Sequence, residues 1–271
     1  MAAHDPLGHV IDHPTLEFPW WTPPTYELTI ELPKILGIQV TRFMVMEVVA
    51  GLLMLAILVP LARHIRRHPV TRGGFLNAFE ALLLYIRDEV ARPAIGGRKA
   101  DRFLPFLWTA FFFVLFNNLL ATIPGGATAT ANINVTGVMA LMTLGTVITA
   151  GVREAGGAGY IMNLVPHLDV PPVLKLFLWP LMFVIEVAAL LIKHIVLAVR
   201  LFANMFAGHV ILAVILGFIL VAKGSLFYVV MPASITGVIL LSMLELFVAF
   251  LQAYIFVFLS AIFIGAAVNP H

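Results

Sequence analysis

Residues 197–209 read LAVRLFANMFAGH and place one arginine, Arg200, inside a long apolar segment. The nearest charged residues are Lys193, seven positions before it, and Lys223, twenty-three positions after it. On insertion scales, a charged side chain at the centre of a membrane-spanning helix costs about 2.5–3.5 kcal/mol, so such a residue indicates a functional site by default. This segment therefore predicts a membrane fold and a specific task for its arginine.

The composition extends the membrane prediction to the whole chain. Of the 271 residues, 61% are hydrophobic and only 11% are charged, whereas a soluble domain carries about 25% charged residues. The net charge of +2 predicts no polyanionic partner such as nucleic acid. The chain contains no cysteine, which excludes disulfides, thiolate metal sites and thiol nucleophiles.

Spanning helices are predicted wherever about 20 apolar residues follow one another. Such segments occupy residues 43–62, 103–124 and 133–151, and two longer ones follow at 174–222 and 226–268. As single helices the longer two would measure roughly 73 and 64 Å, against a hydrocarbon core of about 30 Å. Each is therefore either two crossings or one steeply tilted helix, and the sequence leaves both possibilities open.

The distribution of charge predicts the orientation of the chain. Nine of the sixteen Lys and Arg residues lie between positions 63 and 102, which places that segment in the cytoplasm by the positive-inside rule. Residues 1–42 carry five acids against Lys34 and Arg42, which predicts an external N-terminal arm. Residues 152–173 are rich in glycine and proline and are interpreted as a cytoplasmic loop containing His167 and Asp169.

An amphipathic pattern covers residues 73–92 of the basic segment. Its apolar residues recur at helical spacing, and they are Phe75, Phe79, Leu82, Leu83, Ile86 and Val90. Charged residues on the other side interrupt it too often for a bilayer crossing, so a helix on the membrane surface is predicted. The predicted fold is an all-α integral membrane protein, with about five transmembrane helices and one amphipathic surface helix in a single membrane domain, residues 43–271.

A polar stripe runs along the first of the two long segments. Glu186, Lys193 and Arg200 follow one another at intervals of seven residues, a drift of roughly 20° per step on a helix, and Asn204 comes one turn later. An arginine side chain is always protonated, so Arg200 can hold a carboxylate but cannot relay a proton. A structural ion pair with Glu186 is the alternative interpretation of this arginine.

A second polar stripe is formed by Glu245 and Gln252, again seven residues apart. His209 lies nine residues after Arg200, which puts it on the opposite face of a regular helix. Histidine and buried glutamate can exchange protons near neutral pH, although His209 could instead be a packing residue bonded to a backbone carbonyl. The remaining polar residues in apolar segments are Glu47, Asn117, Asn118 and His194.

The quoted stretch closely resembles the signature of subunit a of the F-type ATP synthase. The similarity continues at residues 85–93 (YIRDEVARP), 116–124 (FNNLLATIP), 183–200 (FVIEVAALLIKHIVLAVR) and 244–264 (LELFVAFLQAYIFVFLSAIFI). It covers about residues 40–268 in the family's order. The resemblance implies a non-catalytic subunit, without an ATP site or cofactor, in a rotary proton-transporting complex.

The resemblance also implies roles for individual residues. Arg200 matches the family's stator charge, which faces a carboxylate on a ring of c subunits. Asn204 and Gln252 match polar positions near that arginine, and His209 and Glu245 match a pair lining the outer half-channel. Glu186 matches an acid of the inner half-channel, and Asn118 matches a polar position of the outer one.

The family's architecture implies five crossings whose last two helices form one long, tilted hairpin, with the N terminus outside and the C terminus in the cytoplasm. The implied partners are the c ring, peripheral-stalk b subunits, the rest of the complex and lipid, in an energy-transducing membrane such as a bacterial inner membrane. The sequence departs from the family pattern in two places. Lys193 and His194 stand where many members have a basic residue followed by proline, and Ala121 stands where some members have an acid.

Three other classes of membrane protein fit this sequence less well. A secondary transporter or channel also uses intramembrane charges, but it should often show repeats in its two halves, and none is found in this sequence. A membrane metalloprotease needs spaced histidine ligands with a glutamate base, and the chain has no HExxH motif. A purely structural membrane anchor would not need Glu186, Arg200, His209 and Glu245 together.

Overall fold

The computed structural model describes residues 15–18, 28–35, 37–67, 73–122, 129–165 and 171–269. In chain order its α-helices are α1 (Arg42–Arg67), α2 (Gly74–Tyr85), α3 (Gly97–Asp101), α4 (Leu104–Thr122), α5 (Ile133–Ala155), α6 (Gly157–Leu164), α7 (Pro172–Val221) and α8 (Phe227–Val268). Five of them, α1, α4, α5, α7 and α8, are long and apolar enough to cross a membrane. The predicted all-α membrane fold is therefore confirmed.

The N-terminal arm contains two small antiparallel hairpins. Strand β1 (Thr15–Phe18) pairs with β2 (Leu28–Glu31), and β3 (Lys34–Ile35) pairs with β4 (Ile38–Gln39). The Gln39 side-chain amide donates a hydrogen bond of 2.8 Å to the carbonyl of Leu32. The sequence predicted a polar external arm without assigning strands to it, because strands of two to four residues leave too few positions for an alternating pattern to be recognised.

Helix α1 presents a broad apolar surface to its surroundings. Val48 and Leu52 are both 61% exposed and Leu55 is 53% exposed. Their spacing of four and three residues places them on one face of the helix. Because burying such side chains is strongly favourable, this face is suited to lipid or to the membrane-embedded surface of another subunit.

The long segments α7 and α8 are each one helix, which decides between the two possibilities that the sequence left open. They contain 50 and 42 residues, or about 75 and 63 Å at 1.5 Å per residue. Pro180 and Pro232 lie inside them without ending either helix. A short 3-10 turn at Gly224–Leu226 precedes α8.

The basic surface segment is a chain of short elements rather than one helix. Helix α2 passes at Ile86 into wide π-type turns, Ile86–Gly96, and then into α3. Asp88 accepts hydrogen bonds from Arg87 (3.0 Å) and Arg92 (2.9 Å). The hydrogen bond from Arg87, above all, holds the pKa of the Asp88 carboxyl below its usual range. These ion pairs are exposed and contribute little to stability, so burial of the apolar side holds the segment in place.

The C-terminal end of α8 packs closely on this surface segment. At Gly265 an added methyl group would overlap the backbone carbonyl of Ala94. The Asn269 amide donates a 2.6 Å hydrogen bond to the carbonyl of Ile95, and the Trp108 indole donates one of 3.1 Å to Leu83. The approach of two backbones at Gly265 explains why a residue without a side chain is needed there.

The predicted loop at 152–173 contains regular structure. Helix α5 continues to Ala155, and α6 (Gly157–Leu164) follows directly. The glycines suggested a loop, but Tyr160, Ile161 and Leu164 have helical spacing and no proline intervenes until Pro166. His167 and Asp169 lie outside the described residues.

The chain divides into two compact units. The first comprises residues 1–69, 112–135 and 201–253, and the second comprises residues 70–111, 136–200 and 254–271. Within the first unit, Ala121, Ala131, Met205 and Ala249 form a buried apolar cluster. In the second, rings pack in pairs, as at Tyr85 and Tyr254 with centroids 6.1 Å apart.

Candidate functional site

Arg200 lies at the edge between the buried and exposed faces of α7. Leu197 and Ala198 are buried on one side, while Val196 and Val199 are each 47% exposed on the other. Arg200 itself is half-buried. Among the described residues it has no ion-pair or hydrogen-bond partner. A guanidinium with five N–H donors is thus left available to a carboxylate from outside the described chain.

The alternative ion pair between Arg200 and Glu186 is not formed. The two residues lie on the same helix, 14 positions or roughly 21 Å apart along its axis, which is far beyond salt-bridge distance. Glu186 is half-buried and Lys193 is exposed, and neither makes an ion pair with another described residue. The three charged members of this stripe share one helix side but do not neutralise one another.

Two amide side chains join α7 to α8 in the first compact unit. The Asn204 Nδ2 group donates a hydrogen bond of 2.7 Å to Oε1 of Gln252. Gln252 is only 1% exposed, and its Nε2 has no hydrogen-bond partner among the described residues. Since an unpaired buried donor is costly, the pair offers a specific place for one more acceptor.

The Glu245 carboxylate lies directly against the backbone of α7 at Gly208. A methyl group added at Gly208 would overlap Oε1 of Glu245. Glu245 therefore reaches the residue immediately before His209, the other member of the predicted pair, although the two side chains form no hydrogen bond with each other. A glycine at 208 is what permits this approach of a long acidic side chain.

Arg42 is a charged residue of this region that the sequence analysis missed. It is the first residue of α1, is only 7% exposed, and lies close enough to His209 for its charge to act on the imidazole. It was assigned to the polar external arm because it directly precedes the apolar run that begins at Phe43. Its position next to that run was the available signal, since a cation at a helix end lies at the membrane boundary.

Asn118 is fully buried and is held by contacts from two other parts of the first unit. The Thr130 hydroxyl donates a 3.0 Å hydrogen bond to Asn118 Oδ1. Asn118 Nδ2 in turn lies 3.5 Å from the carbonyl of Ala249 on α8. Asn117, beside it, donates instead to Phe113 of its own helix at 2.9 Å. The side chain of Asn118 thus makes hydrogen bonds that reach beyond its own helix.

Replacing Thr130 by valine tests this arrangement. We expect Thr130→Val to preserve the side-chain shape while leaving the Asn118 oxygen with one donor fewer, at a cost of about 1–3 kcal/mol. Thermal unfolding of the purified subunit in detergent would measure the loss. Thr149→Val is a matched control, because that hydroxyl is exposed and bonds only within its own helix; equal effects of the two changes would contradict the structural role of Thr130.

Residues 44–265 match a family model described as ATP synthase A chain. The chain is 41% identical over 233 residues to ATP synthase subunit a of Myxococcus xanthus, and this alignment covers 86% of this chain and 74% of that relative. It is 38% identical over 281 aligned positions to ATP synthase subunit a of Anaeromyxobacter dehalogenans, covering 100% and 70% of the two chains. For the same subunit of Chloroherpeton thalassium, identity is 37% over 276 positions, with coverage of 98% and 78%.

Proposed function

The chain belongs to the ATP synthase subunit a family, and from this premise we propose that it is the stator subunit that exchanges protons with a ring of c subunits. Membership of the family makes it a proton-translocating subunit of the membrane sector. The finer proposal is that two half-channels, each open to one side of the membrane, meet the ring on either side of Arg200. Proton flow through them is coupled to rotation of the ring.

The availability of Arg200 is the observation that carries this proposal. A permanent cation without an anion among the described residues needs a partner from another chain, since an uncompensated charge in the membrane is expensive. A carboxylate on each c subunit would meet that need in turn as the ring rotates. Because arginine does not release its proton, it would hold the anion and separate the two proton paths.

The outer half-channel is assigned to the polar residues of the first compact unit. Histidine and buried glutamate are the side chains that exchange protons near neutral pH, so His209 and Glu245 suit a proton path. Glu245 lies against the backbone next to His209. Asn118, anchored by Thr130, supplies a fixed polar group. A proton arriving through the outer half-channel would neutralise the ring carboxylate. The neutral carboxyl could then rotate into lipid.

The inner half-channel is assigned to the side of α7 that bears Glu186. After nearly a full turn, the ring carboxyl would lose its proton near Glu186 to the cytoplasm and return to Arg200 as an anion. Near Arg200, Asn204 and Gln252 would offer uncharged hydrogen bonds to the returning carboxylate, since Gln252 Nε2 has no hydrogen-bond partner among the described residues. Each charge that crosses releases about 2.3 kcal/mol per 100 mV, so several crossings are needed per ATP.

The proposal includes the chain's setting and partners. It would lie in an energy-transducing membrane such as a bacterial inner membrane, with the N terminus outside and the C terminus in the cytoplasm. Its partners would be the c ring, peripheral-stalk b subunits and the remainder of the F-type complex. It would bind neither ATP nor a metal or cofactor itself, so catalysis would belong to the soluble head.

Cysteine cross-linking to the ring tests the proposal directly, because the chain has no cysteine of its own. We expect Val199→Cys and Val196→Cys, on the exposed face beside Arg200, to form disulfides with a cysteine placed one turn from the c-subunit carboxylate. Leu197→Cys is the matched control, since Leu197 is 0% exposed. Cross-linking from Leu197 but not from Val199 would contradict the proposed orientation of Arg200 toward the ring.

A further inference from the structure

His194 is a buried histidine to which the proposed proton path gives no role. It lies on α7 in the second compact unit and is only 3% exposed. Its Nδ1 lies 2.8 Å from the carbonyl oxygen of Leu190, four residues earlier. A carbonyl can only accept, so Nδ1 carries the hydrogen and Nε2 of the neutral ring is an acceptor. That buried Nε2 has no hydrogen-bond partner among the described residues.

Ser260 offers a second buried acceptor on α8, one helical turn from the residue that packs against His194. The His194 ring contacts Phe263, with centroids 5.1 Å apart. Ser260, fully buried, precedes Phe263 by three residues and so lies on the same side of α8. Its hydroxyl donates a 2.7 Å hydrogen bond to the carbonyl of Phe256, which leaves the serine oxygen as an acceptor.

The two acceptors have the same chemical requirement. Both His194 and Ser260 have committed their own hydrogens to backbone carbonyls of their own helices. The complement of two acceptors is a small molecule that donates two hydrogens, and buried water commonly fills this role between polar groups. An apolar packing role for His194 would explain its contact with Phe263. It would not explain why the polar Nε2 atom is buried without a hydrogen-bond partner among the described residues.

We propose that His194 Nε2 and Ser260 Oγ hold a proton-donating water and form an additional station of the inner proton path. In each passage Nε2 takes one proton from a hydronium, leaving water, and returns it through the same nitrogen, because Nδ1 remains bonded to Leu190. Histidine is the side chain most often used for such proton exchange. This inference rests on the proposed function and adds a residue to it.

On α7 and α8, the residues near the station leave the imidazole as its exchangeable group. On α7 the adjacent charged residue is Lys193, which is exposed. On α8 no charged residue occurs between Tyr254 and Val268, and Tyr254 is the single titratable side chain in that stretch. Glu186, eight residues before His194 on α7, is the acid already assigned to the inner path.

ATP-driven acidification of inverted vesicles containing the intact complex tests the station. We expect His194→Phe, which keeps a ring against Phe263 but has no nitrogen, to slow pumping by about tenfold with normal assembly. His194→Gln, which can bind water but cannot take up a proton, should be slowed similarly. Ser260→Ala should slow pumping more than Ser234→Ala, a buried serine on the same helix away from the station.

Chemical rescue separates proton exchange from packing. In His194→Ala, added imidazole should restore pumping, whereas pyrazole, a ring of similar shape and much weaker basicity, should not. Equal rescue by both rings, or pumping at the wild-type rate in His194→Phe, would overturn the station. If Arg200→Ala pumped normally, the proposed function itself would fail; if only the His194 variants pumped normally, the function would stand without this station.

Discussion

Arg200→Ala is expected to abolish proton-driven ATP synthesis, lowering its rate by a hundredfold or more. The guanidinium is the fixed positive charge to which a ring carboxylate would return, and no anion among the described residues pairs with it. Loss of one preorganised hydrogen-bond donor to a developing charge typically costs about 10²–10³ in rate, and here the whole charge is removed. The measurement is ATP formation by energised vesicles containing the complete complex.

Two further variants make the result specific. Arg200→Lys should impair synthesis as well, because lysine is a point charge without the planar fork that binds a carboxylate in two places. Lys193→Ala is the matched control: it removes an exposed cation two turns earlier on the same helix and should leave synthesis largely intact. Wild-type synthesis in Arg200→Ala would remove the basis for assigning a stator charge.

Gly208→Val is expected to lower proton pumping at least tenfold. Its side chain would occupy the volume of the Glu245 carboxylate, which must then swing away from the backbone beside His209. Overpacking of this kind typically costs about 1–3 kcal/mol, and here it also displaces a group of the proposed outer path. ATP-driven acidification and thermal unfolding of the same preparation would separate the effect on transport from the effect on stability.

Gly217→Ala on the same helix provides the control for this change. An added methyl at Gly217 meets no atom within 4 Å, and alanine favours a helix over glycine by up to about 1 kcal/mol. We therefore expect Gly217→Ala to preserve or raise stability and to leave pumping unchanged. Normal pumping in Gly208→Val would show that the position of Glu245 against α7 is not required for proton passage.

The sequence predicts the helices better than their mutual contacts. Long apolar runs are sufficient to predict the five spanning helices, because the bilayer requires that length and that composition. Periodicity also placed Glu186, Lys193 and Arg200 on one side of a helix. It could not decide whether residues 174–222 form one helix or two crossings, because an apolar run carries no mark of where it meets the membrane surface.

Contacts between helices needed the structure. Helical spacing relates residues within one helix, but the register of α7 on α8 depends on packing of side chains from both. The bond from Asn204 to Gln252 and the approach of Glu245 to Gly208 are products of that register. Arg42 was missed for the same reason, since its proximity to His209 joins positions 167 residues apart in the chain.

The most direct test of the central claim compares ATP-driven acidification in three inverted-vesicle preparations: wild type, Arg200→Ala, and wild type treated with a carboxyl reagent directed at the ring. The account predicts rapid acidification in the untreated wild type and none in the other two, with ATP hydrolysis by the soluble head retained in Arg200→Ala. Acidification at the wild-type rate in Arg200→Ala would contradict it, because protons would then reach the ring without the charge at position 200.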